Sequence, residues 1–181
     1  MNVYDVIALT IHSNNGVIKG RTAVQKLVYF NSIKIPIIDI QSYTHHFYGP
    51  FSREVATALE EMSALSYVNE ITHSGFYDIY TYMLTPKGKE YAKSRASKHP
   101  KEFIEISDIM AKCSKFCSLK PKPLSFAAKA YYILAKTKAG RYNPDDVQRV
   151  AKDFDWNISK EDIKTGMSLL QELELVQASK K

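Results

Sequence analysis

Only two of the 181 residues are cysteine, Cys113 and Cys117, four positions apart. That rules out a disulfide framework and leaves too few thiols for a four-ligand zinc site. A bridge at that spacing on a continuous helix has poor geometry, so two reduced thiols on one helix face are expected. Glycine and proline are scarce, seven of each, which excludes a low-complexity or linker-dominated chain. No apolar run approaches the ~20 residues of a membrane-spanning helix. The opening MNVYDVIALTIHSNN has no basic n-region and no small-residue cleavage site, so a cytoplasmic chain with no membrane association is expected. There is no P-loop, no glycine-rich dinucleotide motif and no Ser-His-Asp order. His45 and His46 are adjacent, and neighbours on a strand point to opposite faces, which does not suit a shared metal. No catalysis, cofactor or metal is expected.

What is present is an ordinary globular composition, 45% apolar and 24% charged. The net charge is +6, and residues 86–122 alone carry 10 basic against 4 acidic side chains, which equals the whole surplus. A local basic excess attracts polyanions, nucleic acid first. It also serves as a solvated lysine-rich face, and composition alone leaves both readings open.

Periodicity then gives the elements. Val3, Val6, Ile7 and Ile11 recur at helical spacing, and Ser13–Gly16 stops that helix. Thr22 and Gln25 suit a capping box for a helix from Ala23 to about Ser32, apolar nearly all round, with Pro36 preventing its continuation. Residues 43–48 are β-type and suggest a short strand before Gly49-Pro50. Ser52 caps the next helix, whose core face reads Val55, Ala58, Leu59, Met62 and Leu65. Strands near 67–73 and 76–84 flank Ser74-Gly75, a hairpin signal. Thr85-Pro86 opens another helix, and His99-Pro100 breaks it. Residues 103–117 form an amphipathic helix, and the two prolines of LKPKP (119–123) suggest a stiff extended linker. Helices opened by Ser125, by Asn143-Pro144 and by Ser159 complete the chain, with a short turn at 155–159.

This order predicts a mainly α fold with a small β-hairpin or sheet (α+β). A winged helix-turn-helix over residues 1–97 is followed by a connecting helix and linker over 98–123. A wingless helix-turn-helix-like half covers 124–181.

Three motifs, GRTAVQKLVYF (20–30), FYGPFSREV (47–55) and TPKGKEY (85–91), occur in that order. Together they resemble the YwgA-like family of small prokaryotic proteins, over about residues 3–176. In that family a tryptophan commonly precedes the last helix, as Trp156 does here. The chain is also similar, more distantly, to the Panacea-type antitoxin domain, where a K-L-x-Y-F helix precedes a Y-G-P turn. The first resemblance implies no particular activity. The second implies toxin neutralisation by direct protein contact, often with an autoregulatory DNA-binding role.

Two functions follow as expectations. The first is a winged-helix-like regulator that contacts nucleic acid through Lys87, Lys89, Lys93 and Arg95 of the basic middle segment and Arg149, Lys152, Lys160 and Lys164 of the second half. The helix at 52–65 suits base reading poorly, because Glu54, Glu60 and Glu61 would face phosphates. The second is an antitoxin-like or adaptor module that binds a protein through this helix, at Arg53, and through the tyrosine-rich hairpin, at Tyr77 and Tyr80. The apolar face of 103–117 either pairs two copies as a homodimer or joins the two halves of one chain.

Overall fold

In the computed structural model, residues 1–35, 39–75, 78–137 and 144–177 are described. Eight α-helices lie among them: α1 Val3–His12, α2 Arg21–Lys34, α3 Arg53–Ala64, α4 Pro86–Lys98, α5 Pro100–Cys117, α6 Pro121–Thr137, α7 Pro144–Lys152 and α8 Lys160–Glu172. Three strands, β1 Val17–Lys19, β2 Val68–His73 and β3 Ile79–Leu84, form one antiparallel sheet in the order β1-β3-β2. The expected mainly helical α+β class is found. Residues Pro36, Phe76, Tyr77 and Asn143 lie outside the described residues.

The caps explain most boundaries. Asn2 and Asp5 close a capping box at α1, and Ser159 and Asp162 close another at α8. The Ser52 hydroxyl accepts from Val55 N at α3, and the Thr85 hydroxyl from Gly88 N at α4, where Pro86 is the first helical residue. Strand β3 is central, pairing Val17 with Met83 on one side and Val68 with Leu84 on the other.

The core centres on α2. Every residue from Ala23 to Ser32 is buried, because α1, α3, α5 and α6 all pack against this helix. Helix α6 packs in turn on α7 and α8, and α4 on α1 and α5. One hydrophobic cluster therefore extends from Val3 to Leu173. The apolar face of α5 (Ile106, Ile109, Met110, Cys113) is buried within this cluster, so the face that suggested pairing of two copies is covered by the chain itself. Both thiols are free, and Cys117 Sγ donates to Cys113 O at 3.2 Å. Among the described residues no helix is long and apolar enough to cross a membrane.

Several local expectations are corrected. Helix α2 starts at Arg21 behind Gly20, so Gln25 lies too deep in the helix to reach back as a capping-box partner. Residues 43–48 form no strand: a 3-10 turn covers Ile40–Ser42, and a single bridge joins Thr44 to Phe51. Strand β1 was not anticipated, since three residues carry no periodicity. Leu65 terminates α3 instead of extending its core face and is 59% exposed. The expected linker at 119–123 is replaced by a tight turn. Ser118 and Leu119 both take positive φ, and Pro121 begins α6, where its fixed φ and missing N–H suit the first turn. Ser125 consequently lies inside α6 and does not open it.

Helices α6 and α8 cross closely at Gly166. A Cβ there would stand 2.7 Å from Phe126 C and 2.8 Å from Ala127 N, both backbone atoms of α6 that no rotamer change can move. Alanine would gain ~1 kcal/mol of helix propensity but would force the two helices apart. Overpacking of this kind costs about 1–3 kcal/mol, and more where backbone must shift. Gly166→Ala is therefore expected to lower stability despite its better propensity, read as a lower urea midpoint with an unchanged slope.

Candidate functional site

Polar residues buried on α2 are unusual in so apolar a helix, and two of them, Gln25 and Lys26, face the segment 43–52. Gln25 makes a reciprocal pair with Ser52: its Nε2 donates to Ser52 O at 3.0 Å, and its Oε1 accepts from Ser52 N at 3.1 Å. Lys26 Nζ donates to Pro50 O at 2.7 Å. From α6, Ser125 Oγ donates to Tyr48 O at 2.6 Å. Trp156, in the turn before α8, donates Nε1–H to His46 O at 2.7 Å. Tyr132 OH, also from α6, donates to Tyr43 O at 3.4 Å. Six hydrogen bonds from five side chains thus fix the backbone of this segment, whose own pairing is a single bridge between Thr44 and Phe51.

Glycine is required at the middle of this loop. Gly49 has φ 97°, and a Cβ there would meet Lys129 Cγ at 3.1 Å and Lys26 Cε at 3.4 Å. Two lysine stems therefore close on Gly49, one from α2 and one from α6. The Lys129 amine lies 5.2 Å from the centre of the Trp156 ring. Phe154 and Tyr132 pack around that ring.

The loop, the first turn of α2 and the start of β3 (Ile79 and Tyr80, with Asp78 just before them) bound a cleft of about 600 Å³. Lys26 and Gln25 line its inner part, Tyr48 and Phe51 one wall, and Ile79 and Tyr80 the other. Phe47, next to that wall, is 70% exposed, Tyr48 54% and Ile79 55%. Arg21 anchors the hairpin side. Its Nε donates to Tyr82 OH at 3.0 Å, its Nη2 pairs with Glu70 at 3.0 Å, and its guanidinium stacks over Tyr80 at 3.7 Å.

Electrostatically, the notable group is Lys26, which is 2% exposed. Burial, with Lys129 nearby as a second positive charge, lowers its pKa to about 7. Burial lowers that of Lys129 as well, partly opposed by Asp162. Among the described residues no group of three or more His, Cys, Asp and Glu side chains could hold a metal ion.

The expected nucleic-acid residues are dispersed. Lys87 Nζ donates to Leu65 O at 2.9 Å and lies over Tyr67. Arg95 stands 3.7 Å from buried Asp5 and over Tyr91. Arg149 pairs with Asp146 at 2.9 Å, and Lys160 pairs with Asp145. Lys89, Lys93, Lys152 and Lys164 are exposed. Of the expected partner residues, Arg53 is exposed at the start of α3, Tyr80 is half-buried beneath Arg21, and Tyr77 lies outside the described residues. Sequence reasoning missed Gln25, Lys26, Ser125 and Lys129. For Gln25 and Lys26 the available signal was an adjacent polar pair within the apolar run of α2; Ser125 and Lys129, on α6, carried none.

The fold is that of a mainly helical α+β protein whose central helix holds a Y-G-P loop beside a hairpin. The chain is similar to the uncharacterized protein YwgA of Bacillus subtilis (strain 168), 29% identical over 119 residues that cover 65% of this chain and 71% of that protein. The resemblance expected from the motifs is thus found for the YwgA-like family. No family model matches the chain.

Lys26 gives the protein a definite pH dependence. An unfolded lysine titrates near ~10.4, whereas in the folded protein Lys26 titrates at about 7. Between those values the unfolded state binds the extra proton, so stability rises with pH; it is lost as pH falls towards 7 and flattens below. The clean window is pH 7 to ~8.5, below the ordinary cysteine pKa, because burial raises the Cys113 pKa and opposes the trend at higher pH. Urea denaturation across this window should show stability increasing in the wild type. In Lys26→Met the stability at pH 7 should be higher and the slope largely gone.

Proposed function

We propose that the chain is a protein-binding module on a winged-helix-like core, and that the cleft between the Y-G-P loop and the β2–β3 hairpin receives a segment of its partner. The carrying observation is the pairing of an apolar, aromatic rim (Tyr48 and Ile79, with Phe47 exposed next to Tyr48) with a loop backbone held by side chains of α2, α6 and Trp156. An exposed rim of this composition suits an interface core, and a preorganised loop lowers the entropic cost of binding.

The winged-helix element of the reading is supported by the order helix, strand, helix, helix, hairpin, helix, with the hairpin paired onto the short first strand. In that arrangement α3 is the helix that would enter a major groove. Its exposed Glu54 and Glu60 oppose phosphate, and Glu61 accepts from Tyr4 OH. Lys87, Arg95, Arg149 and Lys160 are engaged within the chain. Both points favour a protein partner over DNA. Random peptides displayed on phage and selected on the immobilised protein provide the test. Enriched sequences should bind, and Tyr48→Ser and Ile79→Ser, each at an exposed position and checked for folding by melting temperature, should weaken them by about tenfold, in line with loss of an interface anchor. Failure to enrich any sequence, or indifference to both substitutions, would overturn the reading.

A second reading rests on the exposed Lys89 and Lys93 of α4, the latter close enough to help lower the His12 pKa after burial. These are suited to backbone phosphate contact. Electrophoretic mobility with duplex DNA should then show binding that strengthens as salt falls and is lost in Lys89→Glu/Lys93→Glu. Absence of a shift at low salt would remove it.

A further inference from the structure

The interior of the cleft has a chemical bias that the rim does not. Lys26 spends one of its three N–H donors on Pro50 O, a neutral acceptor, and among the described residues no carboxylate pairs with it. A buried ammonium with no counter-ion is costly, and removing the charge or supplying an anion relieves it. Other groups around it add to the positive bias. Lys129 approaches from α6, with Asp162 of α8 acting on it. Arg21 and Lys19 line the same cleft, His46 and Tyr48 lie on the loop wall, and Asp78 at the hairpin is the one acid among the lining residues described.

Resting on the protein-binding reading above, we propose that the cleft is selective for an acidic segment, with the side-chain carboxylate of an aspartate or glutamate seated on Lys26 and flanking apolar residues held by Tyr48, Phe51 and Ile79. The carboxylate completes the amine's donor set, and the rim desolvates the pair, so the contact becomes a charge-assisted hydrogen bond in a dry site. Arg21 is already committed to Glu70 and Tyr82, which leaves Lys26 as the acceptor's main partner.

Binding is then linked to protonation. A glutamate or aspartate ligand is ionised above about pH 5. Below pH about 7 Lys26 is charged in the free protein and affinity is at its maximum. Above that, the ligand must bring a proton onto the amine, so affinity falls by up to about tenfold per pH unit until the pKa of the complex is reached.

The experiment uses the tightest peptide from the display selection, synthesised with blocked ends, and its counterparts with each acidic residue changed to Asn or Gln. Fluorescence anisotropy is read from pH 6 to 9 on the full chain. The acidic peptide should bind more weakly as pH rises above 7, and one amide counterpart should bind at least about tenfold more weakly at pH 6 with little pH dependence. Lys26→Met should reduce the acidic peptide to the level of that counterpart and abolish the pH dependence. Its melting temperature checks that it is folded, and Lys26→Arg is the second variant should Met fail to fold, with binding retained but pH dependence lost. Selected peptides without an acid, or acidic and amide forms binding alike at every pH, would overturn the inference and leave the protein-binding reading standing. Inorganic phosphate alone raising the melting temperature of the wild type but not of Lys26→Met would also overturn it, in favour of a free anion. An empty selection would instead remove the reading on which it rests.

Discussion

The reciprocal hydrogen bond between the Gln25 carboxamide and the backbone of Ser52 is the contact on which the candidate site depends. It joins the most buried helix to the residue that caps α3, so the register of the loop and the start of α3 are set together. Each such bond is worth only about 0.5–1.5 kcal/mol net, yet leaving a buried backbone group unpaired costs about 1–3 kcal/mol. The pairs made by Lys26, Ser125 and Trp156 with Pro50, Tyr48 and His46 follow the same logic. Apart from the Thr44–Phe51 bridge and the Gly49 N–His46 O bond, the loop has no sheet or helix to satisfy its carbonyls, so surrounding side chains do so, and Phe47 and Tyr48 face outward.

That solution places polar atoms where the core is otherwise apolar. Asn31 also lies on α2, donating to Thr10 Oγ1 at 2.8 Å while its own Oδ1 has no partner. Lys26 is the costly member, since an apolar side chain of equal volume would fill its place without desolvating an amine. Its bond to Pro50 O offsets part of that cost. Its place in the lining of a cleft, beside a loop shaped by Gly49, accords with the ligand-facing role proposed above.

Part of the charge surplus of residues 86–122 is used within the fold. On α4, Lys87 supports the end of α3 through Leu65 O, and Arg95 lies beside Asp5 in α1. On α5, Lys112 bridges Asp108 and Glu174, at 2.8 and 2.9 Å. These contacts hold elements together, whereas Lys89, Lys93, Lys98, Lys101, Lys115, Lys120 and Lys122 remain on the surface. A net excess read from composition does not distinguish the two uses, because sequence shows which charges exist but not which carboxylate each one meets.

Sequence alone determined most of the helices, the caps at Ser52, Thr85 and Ser159, and the two hairpin strands, since 3.6-residue periodicity and these cap residues act within a few positions. It also marked residues 23–32 as the most buried helix of the first half, because Val24, Leu27, Val28, Tyr29 and Phe30 leave it apolar nearly all round. It misjudged the segments whose conformation is set from a distance: the loop 43–52, held by side chains of α2, α6 and Trp156; the start of α6, where the proline pair follows a left-handed turn; and Gln25, whose partner is 27 residues away. The cleft belongs to the same category. Its walls come from the first turn of α2, the hairpin and the loop, and only the packing of α2 against α6 brings Lys26, Lys129 and Gly49 together. Local chemistry specifies elements, whereas long-range satisfaction of buried polar groups decides where the site lies.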